Sequence, residues 1–262
     1  MTGILFIKTS SLGDVVHQMP AITDAARHRP GVRLSWVVEE AFAPLARLHP
    51  AISDVIPVAT RRWRKQLVQR STWHDVAEFV TTLREGEFDL VVDTQGLIRS
   101  GLMTKLACGL RHGYDAGSIR EPLASKFYDV THTVSRSLHA VTRNRTLTAL
   151  SLGYQLGGEV DYGLLPQPQA EQARYAVLLH GTSRVSKEWD EPQWIAVGDW
   201  LQRHGLEVVL PWGTELERQR SERLCAAIPN SRVLPRQSLD RTAQTIGNAA
   251  LVIGVDTGLL HL

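Results

Sequence analysis

The sequence predicts an α/β protein of two units, each a parallel sheet covered by helices on both faces. Three observations carry this. Short apolar runs alternate with segments of helical period, the pattern a parallel sheet with helical crossovers requires. A polar stretch, GLLPQPQAEQARY, with Pro166 and Pro168, separates the two halves as a linker. With 262 residues, 43% of them hydrophobic, the chain has the length and apolar content for two medium domains.

Ile4–Ile7 reads as the first strand, and the segment after it repeats apolar residues at Val15, Val16, Met19, Ile22 and Ala26, a helical period. Pro20 is expected to bend that helix or confine it to later turns. RLSWVVEE, Arg33–Glu40, is the second strand; a third lies around Asp54–Val58 and runs into the charged RRWRK. In EFDLVVDTQG, Phe88–Val92 is the clearest buried strand, ending at Asp93 before Gly96 breaks the pattern. Beyond the linker, YAVLLHGTS repeats the strand-into-polar-turn arrangement, and EPQWIAVGDWLQRHG is a helix with Pro192 in its first turn. Glu207–Leu210 then enters PWGTELE, and LVIGVDTG leads into LLHL. The units are expected to span 1–165 and 174–262, to face each other across a cleft, and to bind ligands at the carboxyl ends of their strands. The helix that would cover the strand ending at Val255 has barely begun, so the second unit is expected to be incomplete.

Lys and Arg number 29 against 27 Asp and Glu, a net charge of +2 that gives no argument for nucleic acid; an acidic ligand must be met locally. Cys108 and Cys225 lie far apart without metal-ligand spacing and read as reduced side chains. His17, His112, His132, His139, His180 and His261 form no ligand-spaced cluster, so neither a metal nor a cofactor is expected. The N-terminus lacks the features of a signal peptide, and no run reaches the roughly 18 apolar residues of a membrane span. A cytoplasmic protein is expected, with peripheral membrane contact left open.

Four motifs bear on chemistry. TSSLGD lacks the glycines and the following Lys-Ser/Thr of a phosphate loop, and lacks the flanking glycines of a serine elbow. It leaves Gly13, which permits close backbone approach, and Asp14, either a helix-cap carboxylate or a functional acid. In VDTGLLHL, Asp256 ends a strand, Thr257 and Gly258 offer backbone N–H groups, and His261 follows one turn later; the motif is a cap or an anion site. HGTSRVSKEW brings Thr182, Ser183, Arg184 and Lys187 together after a strand, as a diphosphate site would, or as a solvated loop would. Glu217 suits ribose or sugar hydroxyls, or is a surface helix residue. Arg61, Arg62, Arg64 and Lys65 make either a solvated face or an anion site, in which Trp63 would rest on lipid headgroups or a ligand. Arg120 is a further anion contact, while Asp93 and Asp115 read as turn acids.

Taken in order, KTSSLGDVVHQMPAITDA, WVVEEAFA, VIPVATRRWRK, VDTQGLIRS, IREPLASKFY, HGTSRVSKEW, LPWGTELE and VDTGLLHL resemble the bacterial lipopolysaccharide heptosyltransferases of glycosyltransferase family nine. The resemblance implies a GT-B architecture: an acceptor-binding and a nucleotide-sugar-binding Rossmann-like domain, with no metal requirement. It implies inverting transfer of L-glycero-D-manno-heptose from ADP-heptose to O5 of the first 3-deoxy-D-manno-octulosonic acid (Kdo) of Kdo2-lipid A, at the inner-membrane surface. RRWRK and REPLAS favour the branch that adds the first heptose. A branch using a heptosyl-Kdo acceptor, and a catalytically silent nucleotide-sugar-binding module, are the alternatives. The implied roles are Asp14 as general base, Lys187 on the diphosphate and its departing charge, and Thr182 and Ser183 on phosphate oxygens. Glu217 would take the ribose and Asp256 the heptose, with Thr257, Gly258 and His261 in the same donor loop. Gly13, Arg61, Arg62, Arg64, Lys65 and Arg120 would form the acceptor side. Family members run further at the C-terminus, and a chain ending at Leu262 is expected to transfer heptose poorly.

Overall fold

The computed structural model describes residues 3–164, 174–182 and 185–262. The chain divides into two compact units, Met1–Leu164 and Leu165–Leu262. The linker prolines Pro166 and Pro168, together with Ser183 and Arg184, lie outside the described residues.

In the first unit the elements are β1 (Gly3–Ile7), α1 (Leu12–Val16), α2 (Met19–His28), β2 (Arg33–Glu39), α3 (Ala43–Ala46), β3 (Ile52–Val58), α4 (Thr60–Lys65), α5 (Arg70–Glu85), β4 (Leu90–Asp93), α6 (Ile98–Leu106), β5 (Leu110–Tyr114), β6 (Val130–His132) and α7 (Ala140–Leu152). The six strands pair in parallel in the order β3-β2-β1-β4-β5-β6. β1 is central and buried on both faces, which is why GILFI is continuously apolar rather than alternating.

Pro20 acts more strongly than a bend. One helix ends at Val16 and a second starts at Met19, with the proline in its first turn, where a missing N–H leaves no helical bond unmade.

The sequence pattern does not disclose β5, β6 and α7, because polar residues share the interior positions with apolar ones. His112 Nδ1 meets His132 Nε2 at 2.9 Å between β5 and β6. A Cβ on Gly113 would lie 2.2 Å from the Tyr128 ring, so glycine lets that ring lie against the strand. α7 turns Asn144, Arg145, Thr148 and Ser151 inward beside Val141 and Leu147. Arg145 there forms a buried ion pair with Asp24 of α2 at 2.6 Å.

The second unit contains β7 (Tyr175–Leu179), α8 (Glu191–Arg203), β8 (Glu207–Leu210), α9 (Glu215–Ala227), β9 (Ser231–Val233), α10 (Leu239–Gly247) and β10 (Leu251–Gly254). Its four parallel strands run in the order β10-β7-β8-β9. Alternate residues of β7 serve opposite faces. Ala176 and Leu178 join Trp194, Leu201, Leu224 and Ile228. Val177 and Leu179 join Val209, Leu234 and Ile246. Fully burying side chains of this size contributes about 1.5–3 kcal/mol each.

Candidate active site

In an open parallel sheet the loops leaving two neighbouring strands diverge where the strand order reverses, and ligands bind in the crevice this opens. The reversal falls between β1 and β4 in the first unit and between β7 and β10 in the second. The four loops concerned begin at Lys8, Thr94, His180 and Val255, and they carry KTSSLGD, TQG, HGT and VDTG.

In the first unit, buried Lys8 sends Nζ to the Thr94 carbonyl at 2.9 Å. The Thr9 and Ser10 N–H groups both donate to Gln95 Oε1, at 3.0 and 3.1 Å. One glutamine amide thereby fixes the β1 loop against the β4 loop. Asp93 shapes the second loop, accepting from the N–H groups of Gln95 and Gly96 at 2.8 and 3.1 Å and from the Tyr128 hydroxyl at 2.7 Å. Burial raises the Asp93 pKa, and the donors around it oppose the shift. Asp93 is thus a turn acid, and Asp115 another, accepting from the Ser118 N–H at 2.8 Å.

Asp14 lies in the first turn of α1. Its Oδ2 accepts from the Ser11 N–H at 2.7 Å and the Ser11 hydroxyl at 3.1 Å. Among the described residues nothing donates to Oδ1, so the cap orients the carboxylate while one oxygen stays able to take a proton. Gly13 beside it is buried.

Lys8 interacts electrostatically with this carboxylate. Burial lowers the Lys8 pKa; Asp14 and Asp93 act against that, while Arg143 and Arg120 add to it. Arg99 Nη2 donates to Ser10 Oγ at 2.7 Å. Arg143 lies 4.8 Å over the Tyr114 ring and donates to the Ser118 carbonyl at 2.6 Å. Arg99 and Arg120 also line a cavity of about 560 Å³ with Leu97, Ile98, Leu102 and Glu121. Sequence reasoning missed Lys8, Gln95, Arg99 and Arg143 as site residues. VDTQGLIRS carried a signal for Gln95 and Arg99, which follow a strand end directly; Arg143, on α7, carried none.

The RRWRK group divides. Arg62 is held by Glu40 and by Asp75, the latter at 2.7 Å, and its pKa is raised by their hydrogen bonds. Arg61 lies 5.3 Å over the Phe42 ring, and Arg64 and Lys65 are exposed. Trp63, expected to meet headgroups or a ligand, turns the other way: it packs edge-on against Phe79 at 5.8 Å and joins the core beneath β3. The apolar ring is better accommodated against Phe79 than in water.

The second unit draws its candidate residues together through direct contacts. Lys187 forms an ion pair with Asp256, and the Thr182 hydroxyl donates to the Asp256 carbonyl at 3.0 Å. Thr257 and Gly258 open a short 3-10 turn, Gly258–His261, rather than an α-helix, and His261 ends it exposed. Glu217 lies in the first turn of α9, where Oε2 accepts from the N–H groups of Gly213 and Thr214 at 2.8 and 2.9 Å. Its other oxygen reaches the β7 loop: a Cβ on Gly181 would come within 2.5 Å of Oε1.

At the start of this loop, His180 Nε2 meets the Ser221 hydroxyl at 2.7 Å, and Arg220 of α9 binds the Trp189 carbonyl and Glu188, the latter at 3.0 Å. Burial, with Arg220 next in effect, holds His180 neutral, its pKa lowered to about 4. The supporting role of either residue is not legible in the sequence, because it needs α9 and β7 to be adjacent.

The chemistry on offer is a half-buried carboxylate that interacts with Lys8 in one unit, and a lysine, a hydroxyl and carboxylates at a strand-order reversal in the other. A family model, glycosyltransferase family 9 (heptosyltransferase), matches residues 76–262. The chain belongs to glycosyltransferase family 9. Among family-9 relatives it is 46% identical to lipopolysaccharide heptosyltransferase 1 of Pseudomonas aeruginosa, over 99% of this chain and 74% of that one. It is 42% identical to the protein of the same name from Escherichia coli K12, over 99% of this chain and 83% of that one. The solved structure of E. coli heptosyltransferase WaaC with ADP-2-deoxy-2-fluoro heptose matches with a TM-score of 0.93 at 41% identity, covering 99% of this chain and 84% of that one. Both units are therefore those of a GT-B family-9 transferase.

Proposed function

We propose that this family-9 chain transfers L-glycero-D-manno-heptose from ADP-heptose to O5 of the first Kdo of Kdo2-lipid A, with inversion, working peripherally at the cytoplasmic face of the inner membrane. One observation supports the reading: a carboxylate lies at the first strand-order reversal, and a lysine, a hydroxyl and a carboxylate lie at the second. Asp14 lies in the first, and Lys187 with Asp256 and Thr182 in the second. The relatives named above, lipopolysaccharide heptosyltransferases and a transferase solved with an ADP-heptose analogue, supply the substrate class.

The acceptor hydroxyl loses its proton to Asp14 Oδ1 as its oxygen attacks the anomeric carbon. The bond from that carbon to the β-phosphate oxygen breaks, and ADP leaves with the electron pair. ADP is already a stable anion, so no second carboxylate is needed to protonate it, in contrast to glycoside hydrolysis. Lys187, released from Asp256 onto the diphosphate, offsets the departing charge with the Thr182 hydroxyl and the backbone N–H groups of Thr257 and Gly258. Asp256 binds heptose hydroxyls. The Glu217 oxygen facing Gly181 accepts from the ribose, and Ser183 and His261 complete the donor loop. On the acceptor side, Arg120 joins Arg61, Arg64 and Lys65 in binding carboxylate and phosphate groups, with Gly13 allowing close approach; Arg62 braces them through Glu40 and Asp75.

The test is ADP release from ADP-heptose in the presence of either Kdo2-lipid A or its heptosylated product. Release with Kdo2-lipid A alone is expected. Release only with the heptosylated acceptor would move the chain to the branch adding the second heptose, and donor binding without release would make it a silent nucleotide-sugar-binding module.

A further inference from the structure

The turn joining α4 to α5, with the first turn of α5, exposes three large apolar side chains within seven residues: Leu67 at 57%, Val68 at 97% and Trp73 at 58%. The turn is not loose. Gln66 and Gln69 N–H groups donate to the carbonyls of Trp63 and Gln66, at 3.0 Å each. The buried Thr72 hydroxyl donates to the Gln66 carbonyl at 2.9 Å. Trp73 Nε1 donates to the Leu67 carbonyl at 2.9 Å, which lays the indole along the turn. With Trp63 anchored in the core below, a braced turn holds a nearly bare valine at its tip.

Its surroundings are cationic. Arg61, Arg64, Lys65 and Arg70 are exposed, and residues 61–74 contain no Asp or Glu. We infer that the 66–73 segment is a membrane-docking element, Leu67, Val68 and Trp73 entering the headgroup–acyl boundary of an anionic bilayer while Arg70 pairs with lipid phosphates and Arg61, Arg64 and Lys65 meet the acidic groups of the lipid-linked acceptor lying in the same layer. An apolar tip between cations matches an interface with both an apolar and an anionic layer. An indole with its N–H satisfied suits that boundary. A second copy of the chain is a poorer occupant, because a two-fold contact through this patch would set four cations against the same four. A free phosphate or sugar acid would satisfy the charges and leave the valine in water. The inference rests on the lipid-linked acceptor proposed above and adds how the protein reaches it.

The experiment is co-sedimentation of the whole chain, without donor or acceptor, with vesicles of phosphatidylcholine alone or mixed with phosphatidylglycerol. In parallel, ADP release is followed with a water-soluble, deacylated Kdo2-lipid A. Binding to the mixed vesicles, weakened by salt, is expected, with Val68→Asp and Leu67→Gln each reducing it by roughly 10-fold or more. Both variants should melt with the parent and keep its turnover of the deacylated acceptor. Parent-like vesicle binding by both variants would overturn the inference. So would equal binding to neutral vesicles, no binding by the parent, or a parental dimer that Val68→Asp disperses. Vesicle binding by a chain that turns over no acceptor would defeat the proposed function and leave the docking element standing.

Discussion

At the scale of single residues, Asp14 shows why a motif can be visible while its role is not. The sequence left its carboxylate as a cap or a base, and the structure shows the two to be compatible, since Ser11 occupies Oδ2 only. An amide can keep that cap but cannot take a proton at neutral pH. Asp14→Asn is therefore expected to fold normally and lose about 10²–10⁴-fold in kcat, with ADP-heptose affinity unchanged by calorimetry. Lys187→Ala should act on the other substrate, weakening ADP binding by roughly 10-fold or more as a charge-assisted contact is lost. The buried histidines give a pH dependence. His112 and His180 each have a pKa lowered from 6.5 to about 4, by burial first. Between those values the unfolded chain binds protons that the folded chain refuses. Stability should therefore fall as pH drops through that window and rise again on return to neutrality. Thermal melts across it are the check, and His180→Gln should flatten the slope.

At the scale of elements, legibility followed polarity. Apolar strands announced themselves, and Glu207–Leu210 has the bounds the sequence suggested. β5, β6 and α7 did not, because their interior contacts include histidine to histidine, tyrosine to asparagine and arginine to aspartate, which mimic surface composition. The Arg145–Asp24 pair ties α7 to α2 with side chains only 7% and 5% exposed. Arg145→Ala strands a buried carboxylate and should destabilise the fold by about 3–5 kcal/mol in denaturant titrations, more than any exposed Arg→Ala change. Gly181→Ala tests the join between the β7 loop and α9. Its methyl group would displace the Glu217 carboxylate, so the expected result is weaker ADP-heptose binding and a loosened α9 start, with melting lowered modestly.

At the scale of the whole molecule, Asp14 follows a strand at the reversal of the first sheet, and Thr182 and Asp256 follow strands at the reversal of the second, while the RRWRK group and Glu217 follow other strands, β3 and β8. Part of that was legible, because KTSSLGD, VDTQG, HGTS and VDTG all follow apolar strands. The strand order itself was not, as it depends on which strands pair across long stretches of chain; Lys8, Arg99 and Arg143 could not be grouped with Asp14 without it. The proposed division of labour puts proton removal in one unit and diphosphate binding in the other. The most direct test follows acceptor-dependent ADP release and ADP-heptose affinity together in the parent, Asp14→Asn and Lys187→Ala. The account predicts that Asp14→Asn binds donor like the parent and turns over at least about 100-fold more slowly, while Lys187→Ala is impaired in donor binding. Asp14→Asn releasing ADP at close to the parental rate would contradict it.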